Sequence, residues 1–270
     1  MVIGLLTCEI FEDEMAHMLS HDPDIGKVTF VESGPATDSI ASLHGLLGNR
    51  LKRIKDAAEF LPDSALSFEV LAAVLRVALH MDKTMLREGV AEQARILAEK
   101  SDVLVLGYGL CGNGLLDIEK QLVDLRCPIV LLQNKDGSTI DDCVCLVLGG
   151  TEKYLDQVRR EAGTWFVTPG WLKHSDTLLL KELHCPDIAT VKWIFKKAAY
   201  KRVLMVDTGI GDRETLSAET KKFADTFGFY VDETKGTLNI LERTFEQAKS
   251  LLTKRERSGN VKVKEDKAEA

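Results

Sequence analysis

The sequence predicts an α/β protein built from parallel strand-helix units, arranged as two Rossmann-like lobes with a cleft between them. Two observations carry this. Apolar runs of about five to seven residues alternate with helical patterns along most of the chain, the signature of strands that feed crossover helices. The 270 residues, 45% of them hydrophobic, also suffice for one large domain or two lobes with a full core. The expected division is an N-terminal lobe over residues 1–150, a C-terminal lobe over 151–254, and a disordered charged tail over 255–270.

Taken in order, VIGLLTC opens as a buried strand, and FEDEMAHMLS follows as a helix whose acidic first turn suits the positive end of its dipole. KVTFVES reads as a second strand, and the segment from about Asp38 to Phe60 contains a helix with a basic, solvated face. SFEVLAAVLRVALH and TMLREGVAEQARILAEK form a long helical region broken near MDK, and DVLVLGYG is the clearest strand. In the second series PIVLLQN is a strand, TIDDCVCLVLG and EKYLDQVRREA are helices, and TWFVTPGW is a strand running into a turn. Residues 187–200 form a helix; KRVLMVDTG is a strand with Asp207 and Gly209 at its carboxyl end, and RETLSAETKKFADTFG is a helix. FYVDETKG is a further strand or edge, and NILERTFEQAKSLL is a helix. The remaining KRERSGNVKVKEDKAEA has too few apolar residues to require a packed structure.

A formal net charge of -7 argues against nucleic-acid or anionic-membrane partners, which need a basic face. No apolar run approaches the roughly 20 residues of a membrane span, and MVIGLLTCEI has neither the basic flank nor the cleavage site of a signal peptide. These features place the chain in the cytoplasm. There, its six cysteines remain thiols unless a metal or a redox reaction uses them.

Three of those cysteines stand at strand-to-helix junctions. Cys8 closes the first strand, Cys111 sits in the glycine-rich turn of VLVLGYGLCGNGLLDIEK, and Cys143 begins a helix in IDDCVC. In open parallel sheets ligands collect beyond the carboxyl ends of the strands, so the three thiols share one predicted edge. Gly109, Gly112 and Gly114, with Asn113 among them, let the chain turn sharply and let a ligand approach. A thiol at a helix N-terminus has a lowered pKa and is a better ligand or nucleophile. The alternative is a tight turn with a buried thiol. No CxxC pair is present, so any convergence is tertiary. Cys127, Cys185 and Cys145 read as structural.

His80, read at the end of an apolar helix, either projects toward the crevice or serves as a cap or core imidazole. His174 follows TPGW and lines the mouth or faces water, and His17, His21, His44 and His184 lie in contexts where exposure is the default. Asp207 and Gly209 are placed either to hold a ligand or to cap the next helix. The glycine run is not taken as a dinucleotide fingerprint, because GYGLCGNG is read as lacking the G-x-G-x-x-G spacing in its usual glycine register and no acidic residue closes a clear following strand at about 20 residues.

YGLCGNGL at 108–115, the Asp142-Cys143 pair, GTWFVTPGW at 163–171 and VDTG at 206–209 together resemble domain-of-unknown-function family 1638, found mainly in methanogens and other anaerobes. The likeness runs from the first strand to about Leu241 and includes Cys8, the Leu79-His80 pair, Cys111, Tyr154 and the turn of Pro169, Gly170 and Trp171. The sequence departs from the family pattern at Asp141, where a His is common, at Ala162, where a proline is, in a longer segment around 36–62, and in lacking a Trp- and Pro-containing ending. Members are often encoded beside corrinoid-dependent methyltransferases and their activation proteins. The resemblance therefore implies a thiolate metal site or a role in methyl-group and corrinoid metabolism.

The leading expectation is a metal-thiolate protein in which Cys8, Cys111 and Cys143, with His80 as a fourth ligand, hold zinc or an iron–sulfur cluster in the cleft. Gly109, Gly112, Asn113, Gly114, Asp207, Gly209 and Trp171 surround the cofactor, and a corrinoid protein or methyltransferase is the expected partner. Zinc with one open position activates a substrate thiol for methyl transfer, whereas a cluster points to electron transfer. A non-catalytic module for a corrinoid or small anion is the second expectation. An enzyme with Cys111 as nucleophile and His80 as base is the third.

Overall fold

Six apolar runs pair side by side as one all-parallel sheet in the computed structural model, which describes residues 1–32, 40–182 and 184–266. The strands are β1 (Val2–Cys8), β2 (Ile25–Val31), β3 (Leu51–Ile54), β4 (Phe68–Leu75), β5 (Val103–Gly107) and β6 (Ile129–Leu131), in the order β3-β2-β4-β1-β5-β6. Every residue of β1 and β5 is buried, as is all of β4 except its last position. That is the pattern of strands covered on both faces by crossover helices, and it explains why they read as unbroken apolar runs. A second parallel sheet follows, with β7 (Thr164–Val167), β8 (Arg202–Asp207) and β9 (Tyr230–Lys235) in sequential order. One cluster of buried side chains extends through both sheets, from Val2 and Leu5 to Val206 and Phe223. The fold is Rossmann-like α/β.

Several parts of the sequence reading are corrected. The segment SFEVLAAVLRVALH is not helical: Phe68–Leu75 is strand β4, lying between β2 and β1. A buried run of this length has no polar face to reveal its period, and its Leu and Ala residues favour helices when considered alone. Strand β3 was concealed for the opposite reason, since LKRI spans four residues and exposes Lys52 and Arg53. A helix is seen after Asp38, as Ile40–Leu47, but without the expected basic face, since Lys52 and Arg53 lie on β3; Asp38 itself, like Ser33 of KVTFVES, lies outside the described residues. The last helix, Asn239–Asp266, continues through most of the segment that its composition left unstructured, and residues 267–270 lie outside the described residues.

The topology defines where a ligand belongs. From β1 the chain crosses toward β2 on one side, while from β4, the neighbour of β1, it crosses through helix Lys83–Ala98 to β5 on the other. Right-handed crossovers running in opposite directions put their helices on opposite faces of the sheet. A crevice opens between the carboxyl ends of two such strands. Cys8 pairs with Leu75 and Thr7 with Gly107, so Cys8, Arg76 and Tyr108 emerge from the sheet at nearly the same level.

Helix Glu12–His21 begins with acidic residues, as expected, but two of them are buried rather than solvated. Glu12 is approached by Lys173 at 3.5 Å, whereas Glu14 is 1% exposed and its Oε2 has no hydrogen-bond partner. Burial pushes the Glu14 carboxyl up from 4.5 to about 7, with the Asp13 charge adding to the rise and a backbone hydrogen bond and Lys173 opposing it. At the other end of the chain Lys249, 7% exposed, bonds Asp22 at 2.9 Å and Asp24 at 3.0 Å and ties the last helix to the turn before β2.

A raised carboxyl destabilises the fold only where it must ionise: below pH 4.5 both folded and unfolded chains hold the proton, and the penalty grows as pH rises toward about 7. Glu14→Gln is therefore expected to stabilise the protein above pH 7 by up to about 3 kcal/mol, with the gain vanishing below pH 5. Denaturant melts of both proteins across that pH range provide the check; a gain independent of pH assigns the effect to packing.

Candidate functional site

The carboxyl ends of β1, β4 and β5 open on a cavity of about 320 Å³ whose wall includes Cys8, Arg76, His80, Tyr108, Gly109, Cys111, Asp142, Cys143, Tyr154 and Trp171. Residues of strand β7, Thr164 to Phe166, line it from the second sheet. The three junction cysteines and His80 thus share one cavity. Their thiols also lie close enough to affect one another, since charge on Cys111 and Cys8 would disfavour ionisation of Cys143.

Local chemistry accounts for each placement. Cys8 ends β1, and the next residue, Glu9, turns back so that its Oε1 accepts the Val77 backbone N–H at 2.8 Å. This contact fixes the 3₁₀ turn Val77–Met81 on which His80 sits. His80 therefore follows a strand, and not the apolar helix from which it was expected to project. Cys143 opens helix Cys143–Leu148, capped by Asp142, whose Oδ1 accepts the Cys145 N–H at 2.9 Å. Cys145, on the same helix, is fully buried.

Cys111 is held by its backbone. Leu110 donates to Ile140 O at 2.9 Å and Cys111 donates to Asp141 O at 2.8 Å, so the turn after β5 is bonded to the segment that leads into Cys143. Gly109 makes the approach possible: a Cβ there would stand 2.8 Å from Ile140 O and 3.0 Å from Asp142 N. Cys111 itself has φ 48, in the left-handed region that costs a residue with a Cβ roughly 1–2 kcal/mol.

The turn does not run into a helix at Cys111, as the sequence suggested. Residues 111–117 form turns and a helix begins only at Ile118, so no dipole favours a thiolate. Gly107, Gly109 and Gly112 do have the G-x-G-x-x-G spacing, but without a helix starting in that turn they lack the structural context of a dinucleotide site. The thiol pKa values move opposite to expectation. Burial pushes Cys8 and Cys111 up to about 12, with the Asp142 charge adding to the rise at Cys111, and holds Cys143 well above its usual range.

The remaining predicted residues divide. Trp171 lines the cavity, because Pro169–Lys173 is a short helix that lies on the segment after β1: a Cβ on Gly170 would stand 1.9 Å from Ile10 O. Gly112, Asn113 and Gly114 belong to the Cys111 turn but do not line the cavity. Asp207 and Gly209 end β8 away from it; Asp207 accepts the Gly209 N–H at 2.9 Å and pairs with Arg213 at 3.1 Å, and Asp212, not Asp207, caps the following helix. His174 is also outside the wall, with Nδ1 3.8 Å from Glu9.

Sequence reading missed the aromatic lining. Tyr154 and Phe166 lie 5.0 Å apart by ring centroid, Trp165 and Trp171 meet edge to face at 5.7 Å, and Tyr200 packs 5.5 Å from Trp165. The signal was the aromatic pair of GTWFVTPGW, where Trp165 and Phe166 would be expected on opposite faces of a strand, yet both reach the cavity.

Among the described residues, no three His, Cys, Asp or Glu side chains are gathered closely enough to constitute a metal-ligand group. The donor types on the wall, three thiols and an imidazole, nevertheless suit zinc or another thiophilic ion. No described helix is long and apolar enough to cross a membrane. A family model described as a protein of unknown function (DUF1638) matches residues 74–245. No curated protein and no solved structure matches the chain.

Two substitutions test the geometry. Cys111→Gly is expected to stabilise the protein by about 1 kcal/mol relative to Cys111→Ala, because only glycine relieves the left-handed backbone. Gly109→Ala should cost at least about 2 kcal/mol by forcing the two bonded segments apart. Thermal or denaturant unfolding measures both, and equal stabilities for the two Cys111 variants contradict the strained turn.

Proposed function

From the premise that this chain belongs to the DUF1638 family, we propose that it is a metal-thiolate protein, holding zinc or an iron–sulfur cluster through Cys8, Cys111 and Cys143 with His80 as a further donor. The observation that carries the reading is the convergence of three cysteines, from three separate junctions of a parallel sheet, on one cavity. Core packing does not demand it. Cys127 and Cys185 are buried outside that wall, where free thiols usually reside.

The raised thiols fit this assignment. Their protons are retained because burial and the nearby Asp142 carboxylate penalise a bare thiolate. A cation reverses that balance, and metal binding at such a site releases protons. The same values weigh against Cys111 as a free nucleophile, since the thiolate is the reactive form. Gathering the donors calls for side-chain rotation, while the 110–111 and 140–141 backbone pairing holds two of the three cysteines in place. A bound zinc ion would supply Lewis acidity and a stabilised thiolate; a cluster would supply electrons.

The link to corrinoid-dependent methyl-group metabolism rests on the family resemblance. A cavity of about 320 Å³ is too small to enclose a corrin macrocycle, so a corrinoid is assigned to a partner protein that meets the mouth, with this chain acting as a methyltransferase or as an accessory to one.

Metal analysis and the visible spectrum of anaerobically purified protein test the reading. About one zinc per chain, or a brown chromophore from one cluster, is expected. Cys8→Ser, Cys111→Ser and Cys143→Ser should each remove more than about half of the metal, and Cys127→Ser should remove none. Metal-free wild-type protein, or equal losses from Cys127→Ser, would overturn the assignment.

A further inference from the structure

We infer that His17 and His21, one turn apart on helix Glu12–His21, form with Glu242 of the last helix a second metal site, one that takes a divalent transition ion such as zinc. Neither histidine lines the cysteine cavity, and the inference does not depend on the metal-thiolate reading.

Spacing sets the pair. Residues four apart in a helix stand one above the other on the same face, and here the two imidazole rings stack with centroids 4.1 Å apart and planes 29° from parallel. Two nitrogens bound to one zinc ion at about 2.0–2.1 Å and a tetrahedral angle lie roughly 3.3 Å from each other. Rings whose centroids are 4.1 Å apart reach that separation by tilting their nitrogens together. The backbone need not move. The core does not demand the stack either, since His21 is exposed and His17 half-buried.

The neighbours of His21 fix where its proton sits. Nδ1 lies 2.8 Å from the His17 carbonyl oxygen and 3.0 Å from Ser20 Oγ. A carbonyl only accepts, and the Ser20 hydroxyl is already donating to His17 O at 2.8 Å. Nδ1 therefore carries the proton, and in the neutral ring Nε2 keeps its lone pair. Histidines that bind metals are oriented in this way, one nitrogen donating to a carbonyl while the other meets the ion. At His17, burial and then the adjacent His21 lower the pKa, with the Glu242 charge opposing, which favours the neutral, ligating form and shows that this carboxylate is close by.

The surrounding groove, of about 370 Å³, suits a cation. Its wall carries four carboxylates, Asp22, Asp24, Glu242 and Glu246, against one ammonium, Lys249. Asp22, Asp24 and Glu246 bond Lys249 at 2.9, 3.0 and 2.6 Å, so that charge is already compensated. Glu242, the fourth, is exposed on the last helix and is the carboxylate that can swing onto the ion. That rotation is required, because no three donors are gathered among the described residues as they stand. The groove also lies at the carboxyl end of helix Glu12–His21, where the helix dipole favours positive charge. Imidazole nitrogens select zinc, nickel or copper, whereas magnesium and calcium call for oxygen donors. An ion held here joins the helix that follows Cys8 to the last helix, beside the Lys249 contacts.

The full chain, desalted after anaerobic purification, is titrated with zinc and with magnesium by calorimetry, while proton–nitrogen NMR spectra follow the imidazoles. Wild-type protein is expected to take up one zinc beyond any held by its cysteines, with shifts at Nε2 of His17 and His21, and magnesium should produce neither effect. His17→Gln, His21→Gln and Glu242→Gln should each weaken this uptake at least about tenfold. They should also lose the zinc-dependent rise in melting temperature, and melts in chelator verify that all three are folded. Undiminished uptake in any one of the three, uptake that leaves both imidazoles unshifted, no uptake by wild type, or equal affinity for magnesium would overturn the inference. Cys111→Ser separates the two sites. Zinc at the imidazoles of protein whose cysteines take none supports this inference while the metal-thiolate assignment fails; zinc uptake lost in Cys111→Ser but intact in His17→Gln overturns this inference alone.

Discussion

Two backbone hydrogen bonds hold the site together, from Leu110 N–H to Ile140 O and from Cys111 N–H to Asp141 O. They join the turn after β5 to the segment that leads into Cys143, at the rim of the sheet. Buried amide groups must find partners, and here the partners lie about thirty residues away in sequence, so satisfying the backbone also determines which side chains become neighbours. Cys111 and Cys143 reach one cavity because their main chains, and not their thiols, recognise each other. The arrangement imposes two local demands on the sequence. Position 109 must lack a Cβ, and position 111 must tolerate a positive φ that cysteine adopts only at a cost. Strain retained at a residue on the cavity wall is the kind of local expense that a functional constraint explains better than packing does.

The cavity is completed by the second sheet, whose seating follows a similar principle. Gly170 approaches the Ile10 carbonyl so closely that no side chain fits, Lys173 reaches Glu12 at 3.5 Å and Asp13 at 3.3 Å, and His174 stands 3.8 Å from Glu9. All of these contacts lie between the segment immediately after Cys8 and the helix that carries Trp171. One strand end therefore does three things: it provides a thiol, it holds the His80 turn through Glu9, and it receives the aromatic wall. A ligand in the cavity touches both sides of this seam, so its binding is coupled to how firmly the seam is closed.

The legible parts of the sequence were those where local pattern and tertiary context agree. VIGLLTC, DVLVLGYG and KRVLMVDTG announced themselves as buried strands because each is short, apolar and followed by turn residues. Placing Cys8 and Cys111 at strand-to-helix junctions followed from that, and Cys143 from the helix that begins at it; all three line one cavity. His80 was located in the crevice from the wrong structural premise: Phe68–Leu75 has the composition of a helix, and only pairing with β1 and β2 makes it a strand. Asp207 and Gly209 show the converse limit. Their position at the end of β8, in a second series of strands, was foreseeable, but that this strand end stands off the cavity wall was not. The thiol acidities were inverted because a sequence displays a glycine turn before a helix-forming run, while the five residues of non-helical turn between Gly112 and Ile118 appear only in three dimensions.

Charge state decides how the proposed metal would enter the site. Burial disfavours ionisation of the thiols and of Tyr108, on an aromatic wall that also carries Asp142 and Arg76. Three thiolates introduced together would be intolerable in that setting, and only a positive ion at the same place makes their ionisation favourable. In the proposed reading the cation therefore comes with proton release, and the thiolates it stabilises leave the site close to neutral or negative overall.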